Sequence, residues 1–435
     1  MVITRRDLVA SALAVAATPT ASAAAPALNL PKGFLWGAAG AGHQIEGNNV
    51  NADLWLLENI RPTIYGERSG DALNSFELWP RDLDLARDIG LNSYRFSLEW
   101  ARIEPEPGRF SIAMLDHYKR MIEGCRQPGL TPVVTFNHFT TPRWFAQDGG
   151  WTNPSSPDLF ARFCDRAARH LAKDVGYATT LNEPNLPSIF KLTLPSAMLE
   201  RRKLMLAEAA RVTGSAKFVA GNAVTLEDLP AFNANLLIAH KRGRDAIKTA
   251  RPDLPVGFSL AMVDDQAGPG GEARRDSVRA ELYGAWLDAA RGDDFIGVQN
   301  YERAVWGPDG KLPVPAGIET NGFNGEVYPA SLAGAVRYAH QVSGAPVLVT
   351  EHGVVTKDDT IRARFIPAAV RELHKAMDDG VPVKGYIHWS LVDNFEWSLG
   401  YWPNFGLASV DRTTFRRTPK PSAAVLGAIA RRNAL

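Results

Sequence analysis

Thr180-Leu-Asn-Glu183-Pro-Asn185 and Val349-Thr-Glu351-His-Gly353 each set a glutamate where an apolar, strand-like run gives way to a loop. Two carboxyls at strand ends suit one kind of chemistry. Cleaving a glycosidic bond with retention of configuration needs one carboxyl to protonate the departing oxygen and a second, across the sugar, to attack the anomeric carbon. Separation along the chain is no obstacle, because barrel folds bring distant strand ends around one mouth.

The elements that would have to position the two glutamates recur along the chain. Apolar runs read as strands at Phe34–Gly40, Ser93–Leu98, Pro132–His138, Tyr177–Glu183, Val256–Met262, Phe295–Tyr301, Pro346–Glu351 and Val383–Ser390. Helix-period stretches lie between and after them, at Pro80–Ile89, Leu115–Cys125, Asp158–Lys173, Asn233–Ala250, Arg275–Arg291, Ile361–Asp379 and Pro421–Arg432. Alternation of this kind implies a parallel sheet. Eight such units predict a single (β/α)8 barrel with extended βα loops, which account for the length beyond about 250 residues. No Ser/Gly- or Pro-rich linker divides residues 26–435, and Gly268–Gly271 and Asn321–Gly325 are loop signals within the repeat. Catalytic groups of such barrels project from the C-terminal strand ends. Arg95, His138, Asn182, Tyr301 and Trp389 stand near those ends together with the two glutamates.

Composition sets outer bounds. The 435 residues are 45% hydrophobic and 22% charged, as in soluble globular chains, and a formal net charge of +1 leaves no electrostatic footprint for nucleic acid or an anionic membrane. Glu200-Arg-Arg-Lys203 is the densest basic cluster and reads as a solvated helix face. Cys125 and Cys164, the two cysteines, fall in helix-like stretches and are expected as free buried thiols. At the N-terminus Thr4-Arg5-Arg6-Asp7-Leu8 precedes an apolar run, Val9 to Ala17, and Ala21-Ser-Ala23 supplies the small residues of a cleavage site. Residues 1–25 are thus expected to be a cleavable export signal of the twin-arginine type, with the mature protein periplasmic or secreted. No later run reaches the roughly 18 apolar residues of a membrane span.

Taken in order, Phe34-Leu-Trp-Gly37, Gln44-Ile-Glu46-Gly47, Tyr94-Arg-Phe-Ser97, Asn182-Glu183-Pro184, Asp294-Phe-Ile-Gly297, Thr350-Glu351, His388-Trp-Ser390, Asp393-Asn-Phe-Glu396-Trp397 and Phe405-Gly-Leu407 resemble glycoside hydrolase family 1, the β-glucosidase family. The resemblance runs from about Phe34 to Pro421 and implies the same barrel. It implies that Glu183 is the general acid/base and Glu351 the nucleophile, with Arg95 and Tyr301 holding Glu351 ionised and oriented. Asn182 would bond the sugar 2-hydroxyl. Gln44, His138 and Glu396 would bind the remaining hydroxyls, with Trp389 beneath the ring and Trp397 near the hydroxymethyl group. The expected activity is that of an exo-acting retaining β-glycosidase on a small β-glucoside or oligosaccharide, glucose ahead of galactose or fucose. Glycosyl transfer to an acceptor uses the same covalent intermediate, and a catalytically silent sugar-binding protein is the reading outside enzymes.

The sequence also departs from the family pattern. His138-Phe-Thr-Thr-Pro142 stands for His-Trp-Asp-Leu-Pro, so Phe139 offers no indole N–H; Gln299-Asn300-Tyr301 stands for Asn-Tyr-Tyr; His352 follows the nucleophile where Asn is usual. The stretch Leu186–Val224 replaces the usual aromatic loop and carries an amphipathic pattern near Ala197–Ala210, either covering the leaving-group side or packing outside the barrel. The carboxylate at Glu396 and the lack of Lys or Arg in Ser398–Phe405 speak against a 6-phosphosugar. None of the nine histidines has a metal-ligand spacing, Ile45 breaks the dinucleotide fingerprint begun at Gly40-Ala-Gly42, and no serine elbow accompanies a triad, so neither a metal nor a cofactor is expected.

Overall fold

The computed structural model describes residues 28–127 and 129–435, so the export signal read over residues 1–25 lies outside the described residues. Eight parallel strands close into a barrel: β1 (Leu35–Ala39), β2 (Ser93–Ser97), β3 (Thr131–Asn137), β4 (Tyr177–Asn182), β5 (Val256–Ala261), β6 (Ile296–Asn300), β7 (Val347–His352) and β8 (Val383–Trp389). Each pairs with its sequence neighbours, and β1 closes the ring against β8, with Leu35 opposite Gly385 and Ala39 opposite Trp389. Strand boundaries fall within one residue of those read from the sequence. The reason is burial on both faces: except at the first residues of β3 and β4 and at Lys384, strand residues are buried, so apolar runs stand out against polar loops.

The helices were less evenly legible. The first expected one begins at Ser75, not Pro80, because the Leu78 amide already donates to the Asn74 carbonyl (3.0 Å) and the proline is tolerated inside the helix. The helix expected over Arg275–Arg291 runs without interruption from Glu272 to Gly292 and carries a π turn at Ala280–Gly284. Ser331–Ser343 is the helix that the alternation requires between β6 and β7. Beyond the barrel, Asp264–Ala267 and Arg303–Trp306 pair in parallel and carry β5 and β6 outward as a two-stranded lip. Cys125 and Cys164 are buried and unpaired, as expected.

The departure after β4 folds as two helices. Leu186–Thr193 starts immediately past the Glu183 turn, and Ser196–Thr213 follows, ending on Gly214 in the left-handed conformation (φ 67°) that glycine tolerates best. Met205, Leu206 and Ala209 pack against Leu54, Leu57 and Tyr65 of the long β1 loop, forming a small second core above the barrel. Arg202 lies on that same face at the i, i+3, i+4, i+7 spacing and is buried, while Glu200, Arg201 and Lys203 are exposed. The basic cluster is therefore not wholly a solvated face.

Candidate active site

Every site residue read from the sequence converges on one cavity or its wall, at the C-terminal end of the barrel. The cavity has a volume of about 620 Å³, and Gln44, His138, Asn182, Glu183, Tyr301, Glu351, Trp389, Glu396 and Trp397 line it. Arg95 projects from β2 just beneath, fully buried.

Glu351 stands one residue before the end of β7 and receives three side-chain donors. Arg95 Nη1 donates to Oε1 at 2.5 Å, Gln299 Nε2 to Oε1 at 2.9 Å and the Tyr301 hydroxyl to Oε2 at 2.6 Å. Burial raises the Glu351 pKa, and Arg95 foremost, then Tyr301 and Gln299, pull it back by stabilising the carboxylate. Glu183 is surrounded differently. Burial, then the charge of Glu351, push its pKa well above the carboxylate range; Arg95 opposes through space, and no hydrogen bond to its carboxyl contributes. The donors on Glu351 favour the charge there, and their absence at Glu183 favours the proton there.

Glu183 itself adopts a left-handed backbone (φ 44°), as do Phe139 (φ 68°) and Trp397 (φ 52°) on the same cavity wall. For non-glycine residues this conformation costs on the order of 1–2 kcal/mol each, so the surroundings must enforce it. At Glu183 the amide donates to the Ser259 carbonyl (2.8 Å), turning the side chain out of the strand line and into the mouth. At Phe139 the carbonyl is pressed by Gly221, where an added Cβ would come within 1.4 Å of it.

Polar groups for a sugar are held in chains. Arg95 Nη2 and Gln299 Nε2 both donate to Asn182 Oδ1 (2.5 and 2.8 Å), which turns its amide nitrogen toward His138 Nε2 (3.2 Å) and the cavity. Gln44 Nε2 donates to the Phe395 carbonyl (2.8 Å), leaving Gln44 Oε1 buried and unpartnered beside the cavity. The Trp389 indole donates to Glu396 Oε1 (3.0 Å), while burial raises the Glu396 pKa to about 8. The His138 ring lies near-parallel to both Trp389 and Trp397, each at 5.9 Å, and burial keeps it neutral. An aromatic platform rimmed by amide, imidazole and carboxyl groups matches the apolar faces and polar edges of a pyranose.

Residues 27–288 and 315–435 match the pattern of glycosyl hydrolase family 1. The chain belongs to that family. It is an O-glycosyl hydrolase by that membership, with the barrel to match. The solved structure of beta-glycosidase BGL167 is 48% identical, superposes with a TM-score of 0.88 and covers 93% of this chain and 98% of its own. Beta-glucosidase 47 of Arabidopsis thaliana is 30% identical over 91% of this chain and 84% of its length. A beta-galactosidase of Pyrococcus woesei is 27% identical over 90% of this chain and 94% of its length.

The family pattern leaves residues 289–314 unmatched, the segment that carries β6, Gln299 and Tyr301. Gln299, met in the sequence only as a departure, proves to be a donor to Glu351; it stands opposite Glu351 in the β6–β7 register and shares a strand face with Tyr301 two residues on. His352, the other departure, turns away from the cavity. Its Nδ1 bonds the Tyr386 hydroxyl (2.9 Å), its ring stacks on Phe365 (5.0 Å), and burial lowers its pKa to about 3. Phe139 meets His138 and Trp397 edge-on, supplying an apolar wall in place of an indole donor. The helices after β4 do both things the sequence left open: they pack on the β1 loop, and Leu186, Ile189, Phe190, Leu194 and Arg202 line the cavity.

Proposed function

We propose that this glycosyl hydrolase family 1 member is an exo-acting, retaining β-glycosidase that removes terminal β-D-glucosyl units from small glycosides. The supporting observation is the unequal environment of the two glutamates, three donors on Glu351 and none on Glu183. Glu351 attacks the anomeric carbon as Glu183 gives its proton to the leaving oxygen, forming a glycosyl-enzyme; Glu183 then takes a proton from water, which displaces Glu351. Asn182, held from behind by Arg95 and Gln299, offers its amide nitrogen to the 2-hydroxyl, where a hydrogen bond strengthens as the oxocarbenium-like transition state forms. Glucose comes ahead of galactose on the strength of the relatives' names, and an acceptor sugar or alcohol in place of water would give transfer.

Proton NMR of an aryl β-D-glucoside digest tests the mechanism: the β-anomer should form first. Glu351→Gly should lose activity and, with azide, yield an α-glucosyl azide. Glu183→Ala with azide should yield the β-product from a good leaving group. An inverted first-formed sugar from wild type, or near-normal turnover by Glu351→Gly, would refute the role assignments.

A further inference from the structure

The cavity wall holds a cation that the mechanism does not use. Arg202, 8% exposed, comes from the helix Ser196–Thr213, donates from Nη2 to the Asn222 carbonyl (2.7 Å) and lies over the Phe190 ring (4.8 Å). Other buried arginines each face a carboxylate: Arg95 faces Glu351, Arg362 faces Asp359, and Arg417 faces Asp82. Arg202 forms no ion pair among the described residues. The acidic group acting on it is the Tyr65 phenol, itself held neutral by burial. A single carbonyl leaves most of the guanidinium's five N–H donors available to a ligand in the cavity that Arg202 lines. Lys311, the other cation lining the cavity, is half exposed and lies 4.0 Å from Glu302.

The surroundings fix what such a cation could meet. Leu186 donates its amide to the Glu183 carbonyl (3.0 Å), so the helix it begins lies on the acid/base side, where the leaving group departs. Leu186, Ile189, Phe190 and Leu194 from that stretch, with Ile64 and Tyr65 from the β1 loop, make the wall around Arg202 apolar. The sugar end is occupied by the Glu396 carboxyl, which supplies no cation for an anionic group on the glycone. An apolar wall carrying one uncompensated cation suits a ligand that is flat and apolar along its length and anionic at its end.

We propose that Arg202 binds an anionic group on the leaving portion of the substrate, so that the preferred β-glycosides carry an aromatic acid as aglycone. The inference rests on the β-glycosidase reading above and adds the aglycone class to it.

The test compares 4-(2-carboxyethyl)phenyl β-D-glucoside with its carboxamide, whose saturated spacer keeps the two phenols alike in acidity. Wild type should favour the acid in kcat/KM by roughly ten- to a hundredfold, the range for a hydrogen bond between charged groups. Arg202→Met should bring that ratio near one, and Arg202→Lys should keep part of it. A wild-type ratio of one or below overturns the proposal without any variant, and so does a ratio that Arg202→Met leaves unchanged. Preference for an aryl β-glucuronide over the glucoside would put the anion on the sugar and overturn it equally. If no β-glycoside is turned over, the functional reading fails by itself. Calorimetric titration of 3-phenylpropionate into wild type then still reads the cation: binding that exceeds that of 3-phenylpropionamide upholds the site, and equal or absent binding removes it.

Discussion

Tyr301→Phe deletes one oxygen and should move one limb of the pH profile. The Tyr301 hydroxyl is the side-chain donor to Glu351 Oε2, at 2.6 Å, while Arg95 and Gln299 both serve Oε1. A hydrogen bond to a charged group contributes about 1.5–3 kcal/mol, and each pKa unit corresponds to about 1.4 kcal/mol. The donor favours the ionised carboxyl, so its loss raises the Glu351 pKa. The acid limb of kcat/KM should therefore shift upward by about 1–2 pH units. The fold should hold, because the remaining ring keeps its edge-on contact with Phe405 (5.6 Å). Gln299→Leu removes a neutral donor that is divided between Glu351 and Asn182, so its limb should move in the same direction by less. The assay is kcat/KM for 4-nitrophenyl β-D-glucoside from pH 3 to 9. A fall in rate that is even across pH, with the limb in place, would show that Tyr301 orients Glu351 without stabilising its charge, and would refute the reasoning.

Other expectations are read from the same geometry. Glu183 must be protonated to act and its pKa is raised, so the basic limb of wild type should lie above the ordinary carboxylate range; Glu183→Gln should lose that limb while still releasing a good leaving group. Gly221→Ala would set a methyl 1.4 Å from the Phe139 carbonyl, which should lower stability by about 1–3 kcal/mol or more and disturb kcat/KM through the neighbouring His138; an unchanged melting temperature would contradict this. N-terminal sequencing of protein from the native host should find a start near Ala24 to Ala27 in an extracytoplasmic fraction, and full-length chain confined to the cytoplasm would defeat the export proposal.

The two cavity glutamates were legible because a glutamate near the end of an apolar, doubly buried strand is conspicuous in one dimension. Arg202 was not. In sequence it stands amid Glu200, Arg201 and Lys203, and only the spacing to Met205, Leu206 and Ala209 marks the helix face that a second core buries. Gln299 was hidden for another reason: an amide reveals its role only through its partners, and those sit on β4 and β7. The helix Leu186–Thr193 falls in the stretch read as replacing a loop, and it opens with Pro187 in its first turn, where proline sacrifices no hydrogen bond.

Because β1 closes the ring against β8, the sugar-binding end of the cavity is stitched from the two ends of the chain. Gln44 donates to Phe395, 351 residues later, and the Trp389–Glu396 pair belongs to the same late segment. During synthesis, β2 to β7 and both glutamates can emerge before Trp389, Glu396 and Trp397, the partners that Gln44 needs to complete the far side of the sugar site. Contacts so distant in sequence form late and carry the largest loop-closure cost. Glycone binding therefore reports completion of the ring: a partly built barrel holding both glutamates still lacks half of its sugar site, and recovery of glycone affinity during refolding times the joining of β1 to β8.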